Sequence, residues 1–325
     1  MEVLVLGGTR FVGRAVVADA LARGWSVTAL HRGLTGALPE GVRALVADRT
    51  SYDDTARALE GLSPHLVVDT WSGAPVVVQH AVRALVGRGR YGYVSSVSVY
   101  LEGRPPGGDE SAPVWDADPA ADSTVYPADK RGSELAVLSA YPDALLARAG
   151  FIVGPHEDIG RLPWWLDRIS RGGRVVAPGR PDRPLQLVDA RDLAAWLLSG
   201  LETGVSGPVD VTGLSGHVTT RSLLEACVAV TGSDAELVWV PQDELGEAQP
   251  WAHLPCWVPE GGEFAGFMEG DASRAAATGL VTRPIEQTVR DTWAWLQAVG
   301  PAPQRADRAV HGLPLDLEAA LLARR

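Results

Sequence analysis

The sequence predicts an α/β protein: a doubly wound parallel sheet followed by a smaller C-terminal lobe. Three observations carry this. Short apolar strands alternate with helical patterns through the first 150 residues. The first strand runs into a glycine turn, Gly7-Gly8-Thr9-Arg10-Phe11-Val12-Gly13, which opens a helix. After Gly150 the alternation breaks up, and prolines, glycines and tryptophans become frequent.

Taken in order, Val3 to Leu6 reads as the first strand and Phe11 to Arg23 as its helix. Trp25 to Leu30 and Val42 to Ala47 are the next two strands. Ser51 to Leu62 is helical, and His65 to Asp69 is the fourth strand. Pro75 suits a first helical turn, and that helix runs to about Arg88. Tyr91 to Ser95 is a fifth strand, 102–125 a long loop, Ala128 to Ala140 a helix and Ala144 to Ala149 a sixth strand. Their apolar character fits burial on both faces. Beyond, Pro163 to Ser170, Asp192 to Leu201, Thr220 to Val230 and Ile285 to Ala298 read as helices. Val175 to Ala177, Leu185 to Val188 and Val209 to Thr212 read as strands. This divides the chain into 1–150, a sheet domain that 185–212 rejoins, and 151–325, a lobe with a tail ending in an amphipathic stretch, Leu315 to Leu322.

Bulk properties narrow the class. With 46% hydrophobic and 21% charged residues the chain can bury a full core. A net charge of −11 repels phosphate backbones and argues against nucleic acid as the main partner. Cys227 and Cys256 give neither a disulfide framework nor metal-ligand spacing, so no metal is expected. Glu2 and a strand stand where a basic leader would, and no apolar run approaches the ~20 residues of a membrane span. The expectation is a cytoplasmic protein with a small-molecule substrate and no membrane contact.

The glycine turn has a physical purpose. Glycines let the backbone turn tightly against a pyrophosphate, and the following helix presents its amides and partial positive charge to the phosphates. A glycine turn alone is weak evidence. A second signal lies downstream. Tyr126 and Lys130, in Tyr126-Pro127-Ala128-Asp129-Lys130, are four apart and share one helix face. Ser95, Ser96 and Ser98 precede them. An ammonium beside a phenol favours the phenolate, which can trade a proton with a substrate oxygen. Otherwise the pair is a surface Tyr and Lys beside a helix cap.

A nucleotide turn followed by Ser, Tyr and Lys in that order resembles the extended, epimerase/dehydratase-like branch of the short-chain dehydrogenase/reductase superfamily, including its atypical members. The resemblance implies a Rossmann-like sheet, an NAD(P)-dependent enzyme and, by analogy, a homodimer. Tyr126 and Lys130 would be catalytic, with Ser96 polarising the substrate oxygen and Ser95 next in line. Gly7, Thr9, Phe11, Val12 and Gly13 would form the cofactor turn, and Trp71 would lie against the nicotinamide ribose. Asp48 would meet the adenine amine, or else act as a turn residue. Arg10 stands where the branch has its middle glycine. It either holds an adenosine 2′-phosphate or is a solvated helix-start arginine. Arg32, at the end of the second strand where NAD enzymes place an acid, accommodates a 2′-phosphate. NADP(H) is therefore favoured, with NAD(H) the alternative.

The resemblance continues through Gly154-Pro155, Val188-Asp189-Ala190-Arg191-Asp192-Leu193-Ala194 and Asp271 to Leu280 with Pro284. Arg148 is present, but Phe151 replaces the substrate-binding Asn of the epimerases, which argues against a nucleotide-diphosphate sugar. Val97 and Ser98 replace the acid–base pair of the dehydratases. The proline- and aromatic-rich stretch 250–259 reads as a rigid lid or a satellite core. Trp71, Ser98, Phe151, Trp164, Trp251 and His253 are candidate pocket residues. The implied activity is hydride transfer to or from an alcohol or carbonyl carbon. A redox-neutral epimerase or dehydratase acting on a sugar or nucleoside is the alternative. Because the turn G-G-T-R-F-[IV]-G also occurs in chloroplast stem-loop RNA-binding relatives, a non-catalytic sensor or RNA binder is a third reading.

Overall fold

The structure is a computed structural model and describes residues 1–102, 104–300 and 311–325. Residues 301–310 of the tail and one residue of the long loop, 103, lie outside the described residues. The chain begins with β1 (Glu2–Leu6), α1 (Phe11–Ala22), β2 (Ser26–His31), β3 (Arg43–Val46), α2 (Tyr52–Leu59) and β4 (Leu66–Asp69). Next come α3 (Pro75–Leu85), β5 (Arg90–Ser96), α4 (Tyr126–Ala140) and β6 (Leu145–Ala149). The second part contains β7 (Phe151–Val153), α5 (Arg161–Ser170), β8 (Arg174–Pro178), β9 (Pro184–Leu185), β10 (Leu187–Asp189) and α6 (Ala190–Thr203). It continues with β11 (Gly207–Val211), β12 (Val218–Thr219), α7 (Thr220–Thr231), β13 (Glu236–Val240), α8 (Ser273–Ala277), α9 (Ile285–Val299) and α10 (Leu315–Leu322).

Seven strands form one parallel sheet in the order β11-β6-β5-β4-β1-β2-β3. Strand order reverses between β1 and β4, and a crevice opens there at the carboxyl ends, as this topology requires. The strands are buried on both faces. In β1, Val3 and Val5 pack with Val16 and Val17 of α1 and Leu197 of α6, while Leu4 and Leu6 pack with Val78 and Val82 of α3 and Val137 of α4. A third core holds the lobe together around Leu162, Trp165, Leu166, Val175, Leu224 and Trp257.

Several local outcomes depart from the sequence reading. α4 begins at Tyr126 rather than Ala128, because Pro127 is tolerated in a first helical turn and Val125 is extended. The predicted strand Leu185 to Val188 is split at Gln186. The amide of Gln186 bonds Gly213 and Gly270 instead of continuing a ladder. β7 and β13 were not anticipated. They pair with β10 and β8 in two-stranded ladders, and strands of three and five residues carry little periodicity.

Candidate active site

A cleft of about 670 Å³ runs across the carboxyl ends of the sheet. Its first wall is the turn after β1. Gly7 has φ +107°, and a Cβ there would lie 2.5 Å from Thr70 Oγ1. At Gly13 a Cβ would lie 1.9 Å from the Gly7 carbonyl oxygen, so α1 packs directly on the turn. Arg10 adopts φ −122° and ψ 151°, ordinary extended backbone, which explains why no glycine is needed there. The positive φ falls on Phe11, at +24°. The first turn of α1 has no side-chain cap and no acid, so its amides and dipole are left to the cleft. Thr9, Arg10, Phe11, Val12 and Gly13 line it, and the arrangement suits a pyrophosphate.

The far end is formed by His31, Arg32, Leu34, Thr35, Ala47 and Arg49. Arg10 also reaches Asp158, 3.5 Å away. Arg49 was not singled out by sequence. It is buried and grips Asp69 with two bonds of 2.8 and 2.6 Å. Asp69 also accepts from Tyr91 Oη and from the Trp71 amide. The buried pair fixes the ends of β3 and β4, beneath Trp71. An arginine after a strand end, with an aspartate closing an otherwise apolar strand, was the available signal.

The third wall carries the Ser, Tyr and Lys. Ser95 and Ser96 end β5, Tyr126 is the first residue of α4, and all three line the cleft with Lys130 and Ser98. Lys130 is buried, and its Nζ donates to the carbonyls of Trp71 and Val94, both at 2.7 Å, and to Tyr93 Oη at 3.2 Å. Burial pushes the Tyr93 phenol well above its usual range, so it stays neutral beside the ammonium. Tyr126, by contrast, is 38% exposed at the cleft wall. The two serines differ. Ser96 Oγ donates to Ser98 Oγ at 3.1 Å and accepts from the Ser98 amide. Ser95 Oγ donates to Glu134 Oε1 at 2.7 Å. Glu134 takes both arms of Arg148, whose other nitrogen reaches Tyr100, and Tyr100 bonds Asp210.

The remaining end belongs to the lobe. Phe151, Ile152, Arg161, Trp251, Phe267 and His311 close it. The Phe151 and Phe267 rings are 5.6 Å apart, and Arg161 sits over Phe151 at 5.2 Å. Phe267, Arg161 and His311 were not anticipated, since nothing in local sequence links 161, 267 and 311.

Three sequence-based assignments need correction. Asp48 is exposed and does not line the cleft; its carboxylate accepts from the Thr50 amide, a turn role. Trp164 does not line the cleft either; it packs edge-on against Trp165 at 4.6 Å, in the lobe. His253 accepts from the Gln249 amide within its own loop and is likewise absent from the cleft wall. Among the described residues no cluster of His, Cys, Asp or Glu could hold a metal ion, and no helix is long and apolar enough to cross a membrane.

Turn, uncapped helix and Ser–Tyr–Lys wall in one cleft define a dinucleotide-dependent enzyme class. Comparison with known proteins narrows it. The chain is 30% identical over 271 residues to 2'-dehydrokanamycin reductase of Streptomyces kanamyceticus, covering 79% of this chain and 75% of that protein. It is 26% identical over 320 residues to dTDP-6-deoxy-L-talose 4-dehydrogenase (NAD(P)(+)) of Kitasatospora kifunensis, covering 90% and 94%. It is 25% identical over 247 residues to the chloroplast stem-loop binding protein of 41 kDa b of Arabidopsis thaliana, covering 71% and 63%. Among solved structures, the Bordetella bronchiseptica enzyme WbmH in complex with NAD+ superposes with a TM-score of 0.71 at 18% identity, covering 92% and 99%. The UDP-glucose 4-epimerase of Thermus thermophilus in complex with NAD gives 0.66 at 22%, covering 92% and 100%. No family model matches the chain. The chain belongs to the extended, epimerase/dehydratase-like short-chain dehydrogenase/reductase family and is an NAD(P)-dependent enzyme of that family.

Proposed function

We propose that this protein is an NADP(H)-preferring oxidoreductase that reduces or oxidises an alcohol or carbonyl carbon of a small molecule, with Tyr126 as the acid/base. The observation that carries the reading is that Tyr126, Lys130 and Ser96 line the same cleft as the uncapped helix and glycine turn. A bound dinucleotide supplies or accepts the hydride. Tyr126 donates or takes the proton on the substrate oxygen. Lys130, anchored by two carbonyls and Tyr93, places positive charge beside that phenol and holds the ends of β4 and β5 in register. Ser96 polarises the same oxygen, and Ser95, committed to Glu134, stands behind it.

Arg32 and Arg10 support NADP(H), since Arg32 lines the far end of the cleft, Arg10 lines the glycine turn, and β2 ends in His31 with no acid. Arg32 is the stronger candidate, because Arg10 is partly engaged by Asp158. The division of labour follows: residues 1–150 with β11 hold the cofactor, and 151–325 shapes the substrate end. The net charge of −11 supports a small-molecule substrate over nucleic acid. A cytoplasmic homodimer completes the proposal; α3 and α4 pack side by side with Val76, Leu135 and Leu138 left partly exposed. A redox-neutral epimerase remains the second reading, supported by the fold's likeness to epimerase structures.

The test is turnover of purified protein with candidate carbonyl substrates under added NADPH or NADH, read by nicotinamide absorbance. Stoichiometric consumption with NADPH preferred is expected. Turnover with tightly held cofactor and no net absorbance change would assign the epimerase reading instead.

A further inference from the structure

The substrate end of the cleft holds positive charge that the proton-transfer residues do not use. Arg161, the first residue of α5, lines it, and among the described residues its guanidinium forms no ion pair. Its side-chain contacts are the face of Phe151 and a long 3.4 Å bond to the Ile152 carbonyl. The nearby acid, Glu157, is fully buried and spends its oxygens on the amides of Arg161 and Leu162. Asp158 is the one carboxylate on the cleft wall among the described residues, and it faces Arg10.

A second group points to the same place. His311, from the tail, lines the cleft beside Trp251 and Phe267. Its Nδ1 is buried and has no hydrogen-bond partner among the described residues. Residues 312–318 are anchored there. The Gly312 amide donates to Ala252, Leu313 is buried, and Glu318 on α10 accepts from Arg168 on α5 at 2.8 Å and from the Val176 amide. Leaving buried polar groups unsatisfied is costly, and a cation in an apolar-walled cleft attracts an anion more strongly than one in open water. Around both groups stand flat rings, Phe151, Phe267 and Trp251.

Building on the cleft assignment proposed above, we propose that Arg161 and the tail residue His311 form an oxyanion subsite, so that the substrate is a ring-bearing molecule carrying a carboxylate or phosphate distal to the carbon that exchanges hydride. Arg161 provides the charge and a fork suited to two oxygens. His311 provides a directional bond. The aromatic rings hold the flat part between this subsite and Tyr126. Phe151, at the epimerase Asn position, thus faces a guanidinium that takes over anion recognition.

The experiment uses the full chain saturated with NADPH, so that the cofactor phosphates already occupy their own site. Benzoate, phenyl phosphate and neutral benzamide are titrated separately against tryptophan fluorescence. Benzoate or phenyl phosphate should bind about tenfold or more tightly than benzamide. The tighter of the two assigns carboxylate or phosphate. Arg161→Gln should erase that preference, Arg161→Lys should keep part of it, and His311→Ala should weaken the anions several-fold while leaving benzamide unchanged. NADPH affinity should stay the same in all three. Equal binding of benzamide and both anions, or a preference that survives Arg161→Gln, would overturn the subsite. Failure to bind NADPH at all would count against the cofactor reading, a separate result.

Discussion

Replacing Lys130 by methionine tests the hub of the site, and the structure sets the size of the effect. The ammonium is buried and satisfies the carbonyls of Trp71 and Val94 and the hydroxyl of Tyr93. Methionine fills much of the same space with no donor. The Trp71 carbonyl keeps the Tyr93 hydroxyl as a donor, so the Val94 carbonyl alone is left unpaired, at about 1–3 kcal/mol. Tyr93 retains its own bond to Trp71 O and adds little. Because Lys130 links the end of β5 to Trp71 just after β4, cutting that link should lower affinity for the cofactor's nicotinamide side as well. The rate should fall about 10²–10⁴-fold, the range for losing acid–base assistance. Urea unfolding of the cofactor-free protein, fluorescence titration with NADPH and steady-state turnover read the three effects separately. Lys130→Arg keeps charge, but its planar fork cannot meet three acceptors arranged around one nitrogen, so it should recover stability only in part. A methionine variant with wild-type stability, cofactor affinity and rate would refute the reasoning.

Other outcomes follow from the same geometry. Ser96→Ala should lower kcat at least tenfold, whereas Ser95→Ala should cost mainly stability, about 1.5–3 kcal/mol for the lost hydrogen bond to the Glu134 carboxylate, which keeps Arg148; the reverse ranking would exchange their roles. Arg32→Asp should shift cofactor preference from NADPH toward NADH by about ten- to hundredfold, measured as the ratio of kcat/KM values, since a charged hydrogen bond is worth about 1.5–3 kcal/mol. Burial, outweighing Arg161 and the two amide bonds, raises the Glu157 carboxyl to about 7 from an ordinary value of 4.5. The folded state therefore binds the proton more tightly, and Glu157 makes stability fall as pH rises from about 4.5 to 7. Glu157→Gln should gain on the wild type by about 3 kcal/mol between pH 4.5 and 8 in urea melts. A gap independent of pH would show that the carboxyl is not perturbed.

Much of the fold was legible because its signals are local. β1, the glycine turn and α1 follow one another within 22 residues, and the strands, buried on both faces, appear as apolar runs. Tyr126, Lys130 and the serines could be picked out because helix spacing and strand ends determine where such side chains point. Arg10 was anomalous in sequence and ordinary in structure, because the turn places its positive φ one residue later, on Phe11. What could not be read were contacts between distant segments. Arg49 with Asp69 and Glu134 with Arg148 depend on strand order and helix placement within the sheet domain, and the meeting of Arg161, Phe267 and His311 on how lobe and tail fold back on the sheet. His253 and Trp164 misled for the same reason. A proline- and aromatic-rich stretch shows that a rigid surface exists without showing which side faces the cleft.

The most direct measurement is the turnover of Tyr126→Phe beside its NADPH affinity. The phenyl ring keeps the shape of the cleft wall and removes only the hydroxyl. Turnover should fall by about three orders of magnitude while the dissociation constant for NADPH changes less than about twofold. A variant that turns over at the wild-type rate would contradict proton transfer through this residue.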